Sequence, residues 1–171
     1  METPDTQSAR LAAFGDQLIE VHDWLRAELA RLSEGVDARL DGGPAPEELR
    51  AHCLTFCTAL ERHHTGEDGG AFVALAERHP DLAPVLDKLR EDHRLVSDIL
   101  RRLRELVAGI DPRAADPRQA QRVRGELDGL MAIMESHFAY EERSIVTALN
   151  ALDVPEWEER PPEFLRTDPA T

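Results

Sequence analysis

Six side chains with metal-binding chemistry interrupt stripes that are otherwise apolar: His22, His63, Glu67, His93, His137 and Glu141. Four of them form two His-x-x-x-Glu pairs, His63 with Glu67 and His137 with Glu141, and each pair is followed by an acidic residue, Asp68 or Glu142. A spacing of four puts a nitrogen and an oxygen donor one turn apart on one helix face, where both reach the same point. Burying these carboxylates and imidazoles without compensation costs several kcal/mol per ion, and a metal centre supplies the compensation. Six donors exceed the needs of one tetrahedral zinc ion, whereas two carboxylates on opposing helices suit bridging between two cations. Mixed imidazole and carboxylate ligation suits iron, manganese or zinc. It is neither a thiolate set nor the all-oxygen shell of calcium or magnesium, so iron is the first choice.

Four helical segments must carry these donors. The first, from about Ser8 to Ser33, has the stripe Leu11, Phe14, Leu18, Leu25, Leu29 and Leu32 around His22, with a stop at Glu34 and Gly35. The second starts at Pro46, where a fixed φ and the acids Glu47 and Glu48 suit a first turn. Its stripe is Leu49, Cys53, Phe56, Leu60, the pair at 63 and 67, Ala71 and Ala74, ending at His79 and Pro80. The third runs from about Asp81 to Ala108 through Leu82, Leu86, Leu89, His93, Val96, Leu100, Leu103 and Val107. The last follows Pro117 through Val123, Leu127, Leu130, Met134, the pair at 137 and 141, Ile145 and Leu149, ending near Leu152. Short loops between such helices predict an all-α, antiparallel up-and-down four-helix bundle over residues 8–152, in which the midpoints of the helices meet at one level. A Pro-rich tail, 153–171, is expected on the surface or disordered, with Trp157 and Phe164 available to tack it down.

The order and spacing of these residues on four helices resemble the hemerythrin-like, or HHE cation-binding, family over roughly residues 8–150. The resemblance implies a four-helix bundle holding a non-haem di-iron centre with an oxo, hydroxo or water bridge. It places the isolated histidine of helix one at His22, the two pairs at His63 and Glu67 and at His137 and Glu141, and the helix-three histidine at His93. One departure bears on function. Oxygen-carrying hemerythrins have two histidines four apart on the third helix, but here Leu89 and Ser97 flank His93 by a turn on either side. The iron lacking that nitrogen is expected to carry water or another side chain, which favours redox chemistry at an open position over simple reversible oxygen carriage.

His64 lies about 100° around the helix from His63, with Asp68 one turn on, and is either the missing donor or a hydrogen-bonding neighbour of the site. His52 is too far along the helix to share the centre, and His79 sits at a helix end. Cys53 and Cys57 read as small packing residues rather than a redox pair, and Tyr140 as an inter-helix or surface residue. Gly66, Gly69 and Gly70 around Glu67 indicate either a close approach or channel beside the metals, or a kink or helix end.

The chain has 171 residues, 34 acidic and 20 basic, for a formal charge of −14, which repels nucleic acid and anionic membrane surfaces. No segment has the apolar length of a membrane helix, and residues 1–5 lack the basic and apolar regions of a signal peptide. With only two cysteines, both in one helix, the sequence predicts a cytoplasmic protein. Three functions suit these residues. The first is binding of O2, peroxide or nitric oxide at two irons for sensing, scavenging or carriage, with Leu18, Leu60, Leu89 and Met134 as apolar walls. The second is a di-iron oxidase or peroxide-decomposing enzyme. The last is iron storage or a structural metal, ranked lowest because ferritin-like bundles use two Glu-x-x-His motifs and only Glu61 to His64 matches.

Overall fold

The computed structural model describes residues 13–42, 46–110 and 116–167. Four long helices carry the bundle: α1 (Phe14–Leu40), α2 (Pro46–Gly66), α4 (Ala83–Ala108) and α5 (Pro117–Asn150). A π turn, Glu67–Ala71, joins α2 to a short α3 (Phe72–Arg78), and a 3-10 turn, Pro80–Leu82, leads into α4. After α5 come the short α6 (Pro155–Glu159) and a 3-10 turn, Glu163–Leu165. Each long helix packs against two others: α1 against α5 and α2, and α4 against α5 and α2. No strand occurs among the described residues, nor is any helix there long and apolar enough to cross a membrane.

Local chemistry explains the helix ends. Asp116 caps α5 by accepting from the backbone N–H of Arg118 at 3.0 Å, and Pro117 follows at the first helical position. Ala13 offers α1 no side-chain cap, and Asn150 at the far end of α5 replaces it, accepting from the Asp16 N–H at 3.1 Å while donating to the Asp16 carboxylate at 3.2 Å. That arrangement requires close contact between α1 and α5. Gly15 permits it, because a Cβ there would collide with the backbone carbonyl of Val146.

Two boundaries differ from the sequence expectation. Helix α1 does not stop at Glu34 and Gly35 but continues to Leu40, because Val36 extends the stripe of Leu29 and Leu32 into the core and is fully buried. Tertiary burial there outweighs the roughly 1 kcal/mol that glycine costs inside a helix. The second difference follows the π turn. Its extra residue per turn shifts the helical register, so Phe72 and Leu75 become the buried positions and Ala74 is only half-buried. The predicted start at Ser8 and its Leu11 lie outside the described residues.

The apolar interior falls into two clusters. One includes Val21, Leu25, Leu60, Leu103, Met134 and Phe138. The other includes Phe14, Leu18, Phe72, Leu89, Ile145 and Phe164. The tail belongs to the second, with Trp157 edge-on to both Phe14 and Phe164 at 5.2 and 5.3 Å. Cys53 and Cys57 are buried free thiols in the first, with their sulfurs 4.0 Å apart.

Candidate metal centre

Between the two apolar clusters lies a polar layer made by every one of the six residues singled out above. His22 comes from α1, His63 from α2, Glu67 from the π turn, His93 from α4, and His137 and Glu141 from α5. All are buried, and His22, Glu67 and Glu141 are wholly inaccessible. Their positions follow from the stripes: Leu18 and Leu89 border the layer on one side, Leu60 and Met134 on the other, as a single seam per helix requires.

The layer has an internal order. Glu67 turns one carboxylate oxygen toward His63 Nε2 at 2.6 Å and His22 Nε2 at 3.9 Å, and the other toward His93 Nε2 at 3.2 Å. Glu141 lies between the same two sides, with one oxygen 3.4 Å from His22 Nε2 and 3.3 Å from His137 Nε2. Two donor sets therefore share Glu67. Ligating atoms of His22, His63 and Glu67 lie within 4.8 Å of one another, as do those of His64, Glu67, His93 and His137.

His64 is thus part of the cluster. It is buried against His93, the rings stacked at 3.9 Å and 12°. Where α4 has Leu89 in the apolar core and Ser97 exposed, a histidine of α2 lies beside His93.

The donor atoms face one another, and the opposite ring nitrogens are held from outside. His22 Nδ1 pairs with Glu142 at 2.9 Å, His93 Nδ1 with Asp68 at 2.8 Å, and His137 Nδ1 with Asp92 at 3.2 Å. His63 Nδ1 meets the backbone carbonyl of Phe164 at 2.8 Å. Such partners fix the tautomer that presents a bare Nε2 to a metal. Meanwhile Nε2 of His22, His63 and His64 and all four carboxylate oxygens of Glu67 and Glu141 are buried without a hydrogen-bond partner. Buried polar atoms are ordinarily satisfied, so this concentration of bare donors, all converging on one layer, fits a bound cation.

The proton balance of the metal-free layer is lopsided. Burial lowers the pKa of His22, but the nearby carboxylates of Glu141, Glu142 and Glu67 outweigh it and hold the imidazole well above its ordinary value. Burial likewise opposes charge on His93, yet Asp68 and Glu67 lift it to about 10. Burial and the neighbouring His93 push His64 well below 6.5, leaving it neutral. Glu67 stays ionised well below the usual carboxylate range, since the surrounding histidines outweigh its burial.

These shifts fix a sign. His22 and His93 stabilise the metal-free fold fully below pH 6.5, and that contribution is lost as pH rises through their raised pKa values, about 10 for His93. Below pH 6.5 the unfolded chain protonates His64 while the fold resists it, and in stronger acid the stabilisation from Glu67 disappears as well. The melting temperature of protein kept in excess chelator is expected to peak near neutrality and fall on both sides. A steady rise from pH 6.5 to 10 in the same titration contradicts this proton balance.

The hemerythrin HHE cation-binding domain model matches residues 14–149, which span all four long helices and the whole polar layer. The chain belongs to the hemerythrin HHE family. No curated protein and no solved structure matches it. Within the hemerythrin domain the six expected donors meet in one layer. The sequence also marked Asp68 and Glu142, but as followers of their own pairs rather than as partners of His93 and His22 on other helices. Asp92 and the Phe164 carbonyl went unmarked. The glycines divide by role: a Cβ on Gly66 would lie 2.8 Å from the Phe164 nitrogen, whereas Gly69 and Gly70 in the π turn have open space. His52 is partly exposed beside Glu28, away from the layer.

Proposed function

We propose that this hemerythrin-domain protein holds two iron ions, one between His22 and His63 and the other among His64, His93 and His137, with Glu67 and Glu141 shared between them. On this reading it binds O2, peroxide or nitric oxide for sensing, scavenging or carriage. The observation that carries the reading is the split of Glu67, whose two oxygens face different histidines. Two carboxylates and no thiolate in a set of imidazoles suit iron, which in its reduced state supplies the electrons for binding such ligands. The protein's part is to orient the imidazoles through their Nδ1 partners and to keep bulk water out with Leu18, Leu60, Leu89 and Met134, each almost wholly buried.

One observation bears on the enzymatic alternative. A cleft of about 190 Å³ between α2 and α4 reaches His64 and His93, and Glu61, Asp68, Arg94 and Ser97 give it a polar wall. Pockets for drug-sized organic molecules hold roughly 300–1,000 Å³. The cleft therefore favours a diatomic gas or peroxide, so peroxide decomposition is the stronger enzymatic reading and oxidation of a bulky organic substrate the weaker.

The test is anaerobic loading with Fe(II), a metal count per chain, and absorption spectra before and after O2 or peroxide. Near two irons per chain and a new visible band are expected. One iron or none, or a spectrum indifferent to both oxidants, overturns the proposal. A reversible band supports carriage or sensing, and rapid bleaching with continued peroxide loss supports catalysis. His64→Ala in the same assay is expected to hold one iron firmly and the other about 10- to 100-fold more weakly, the range by which even the loss of a supporting hydrogen bond weakens a site. Unchanged affinity for both irons removes His64 from the ligand set.

A further inference from the structure

Three of the histidine Nδ1 atoms pair with side-chain carboxylates, but His63 has only the carbonyl of Phe164, which lies 101 positions further along and beyond the matched domain. The difference is chemical as well as topological. A carboxylate on one of the long helices raises the basicity of the imidazole it holds more than a neutral carbonyl does, and the carbonyl of Phe164 orients its ring only while its segment is docked. That segment is built to dock. Phe164 is wholly buried, Trp157 bridges it to Phe14, and Arg62 lies 3.6 Å from Glu163. On the other side Gly66, one turn from His63, leaves the space into which the Phe164 backbone fits.

We propose that Glu163–Leu165 is a strap that positions His63, so that retention of the cation shared by His22 and His63 is coupled to docking of the C-terminal tail. The inference rests on the metal-binding reading of the cluster. It assigns Phe164 a positioning role exerted through its backbone, and it makes one of the two cations more responsive than the other to whatever moves the tail.

Gly66→Ala in the full chain tests it. The added methyl displaces the Phe164 backbone without altering a donor, and alanine favours helix over glycine, so the variant does not weaken α2 itself. Gly69→Ala is the control, since nothing lies within 4 Å of its added Cβ. Cobalt(II) serves as the probe metal, with its release followed in excess EDTA and solvent exchange of the His63 Nδ1 proton followed by NMR. The wild-type and Gly69→Ala proteins are expected to keep a slowly exchanging proton. Gly66→Ala is expected to lose that protection and to release one of two cobalt equivalents about 10- to 100-fold faster. Trp157→Ala, which removes the anchor without inserting anything, is expected to act in the same direction and less strongly, and it decides the question if Gly66→Ala folds poorly. Unaltered proton exchange and unaltered release in both variants overturn the strap. If the wild-type chain binds no cobalt, the metal reading fails, and proton exchange in the metal-free protein still reports whether the strap holds His63.

Discussion

Glu67→Gln is expected to empty both halves of the cluster at metal concentrations that saturate the wild type. Glu67 belongs to both groupings of ligating atoms, so on the proposed reading this one change removes negative charge from both cations at once. Removing one partner of a buried charge pair costs about 3–5 kcal/mol, or some two to nearly four orders of magnitude in affinity. Glutamine preserves the size of the side chain, and packing is therefore not the variable. By contrast, Asp92→Asn and Glu142→Gln reach the cluster through the outer nitrogen of one histidine each, besides loosening ion pairs with Lys88 and Arg26, and are expected to weaken binding about 10- to 100-fold. Metal counts after gel filtration, paired with calorimetric titration, separate the two classes. If Glu67→Gln retains two tightly held metals, Glu67 is not the shared ligand.

The second large effect is thermal. The metal-free layer buries two carboxylates whose oxygens have no hydrogen-bond partner: burial and the charge of Glu67 both oppose ionisation of Glu141 before the neighbouring His137 and His22 outweigh them. A cation that binds only the folded chain stabilises it by about 4 kcal/mol when present at a thousandfold excess over its dissociation constant. For a chain of this size each kcal/mol moves the melting temperature by about 2–4 °C. Stripping the metal is thus expected to lower the melting temperature by at least about 8 °C, and re-adding Fe(II) or Co(II) without oxygen to restore it. A chelator-treated sample that melts with the untreated one, after its metal loss is verified, contradicts a metal held by these residues.

That the six side chains share one buried layer was legible in the sequence because each breaks an apolar stripe at helical spacing, and a seam that faces the core can hold a polar residue only where something compensates it. His64 was ambiguous for the same reason. It sits off the seam through 63 and 67, and only the stacking on His93 across α2 and α4 shows that it faces the layer. The register slip beyond Glu67 was hidden because counting by threes and fours assumes an unbroken α-helix, and the π turn violates that assumption. Asp92 looks like one more acid on a solvated face until α5 brings His137 against it. The Phe164 carbonyl leaves no trace in residue type at all. Partners that act through side chains on predicted helices can be read from a sequence; those that act through the main chain of a distant turn require the fold.

The polar layer also separates two bodies of hydrocarbon that share the same four helices. Hydrophobic contact cannot pass cooperativity through that layer, so in the metal-free chain the end holding Phe14, Phe72 and the tail can loosen without melting the end built on Leu25, Leu103 and Leu127. Cations held as proposed, by residues of all four helices, would rivet the halves together. Amide exchange at the two ends should therefore proceed at separate rates in chelator and converge on a common, slower one when metal is bound.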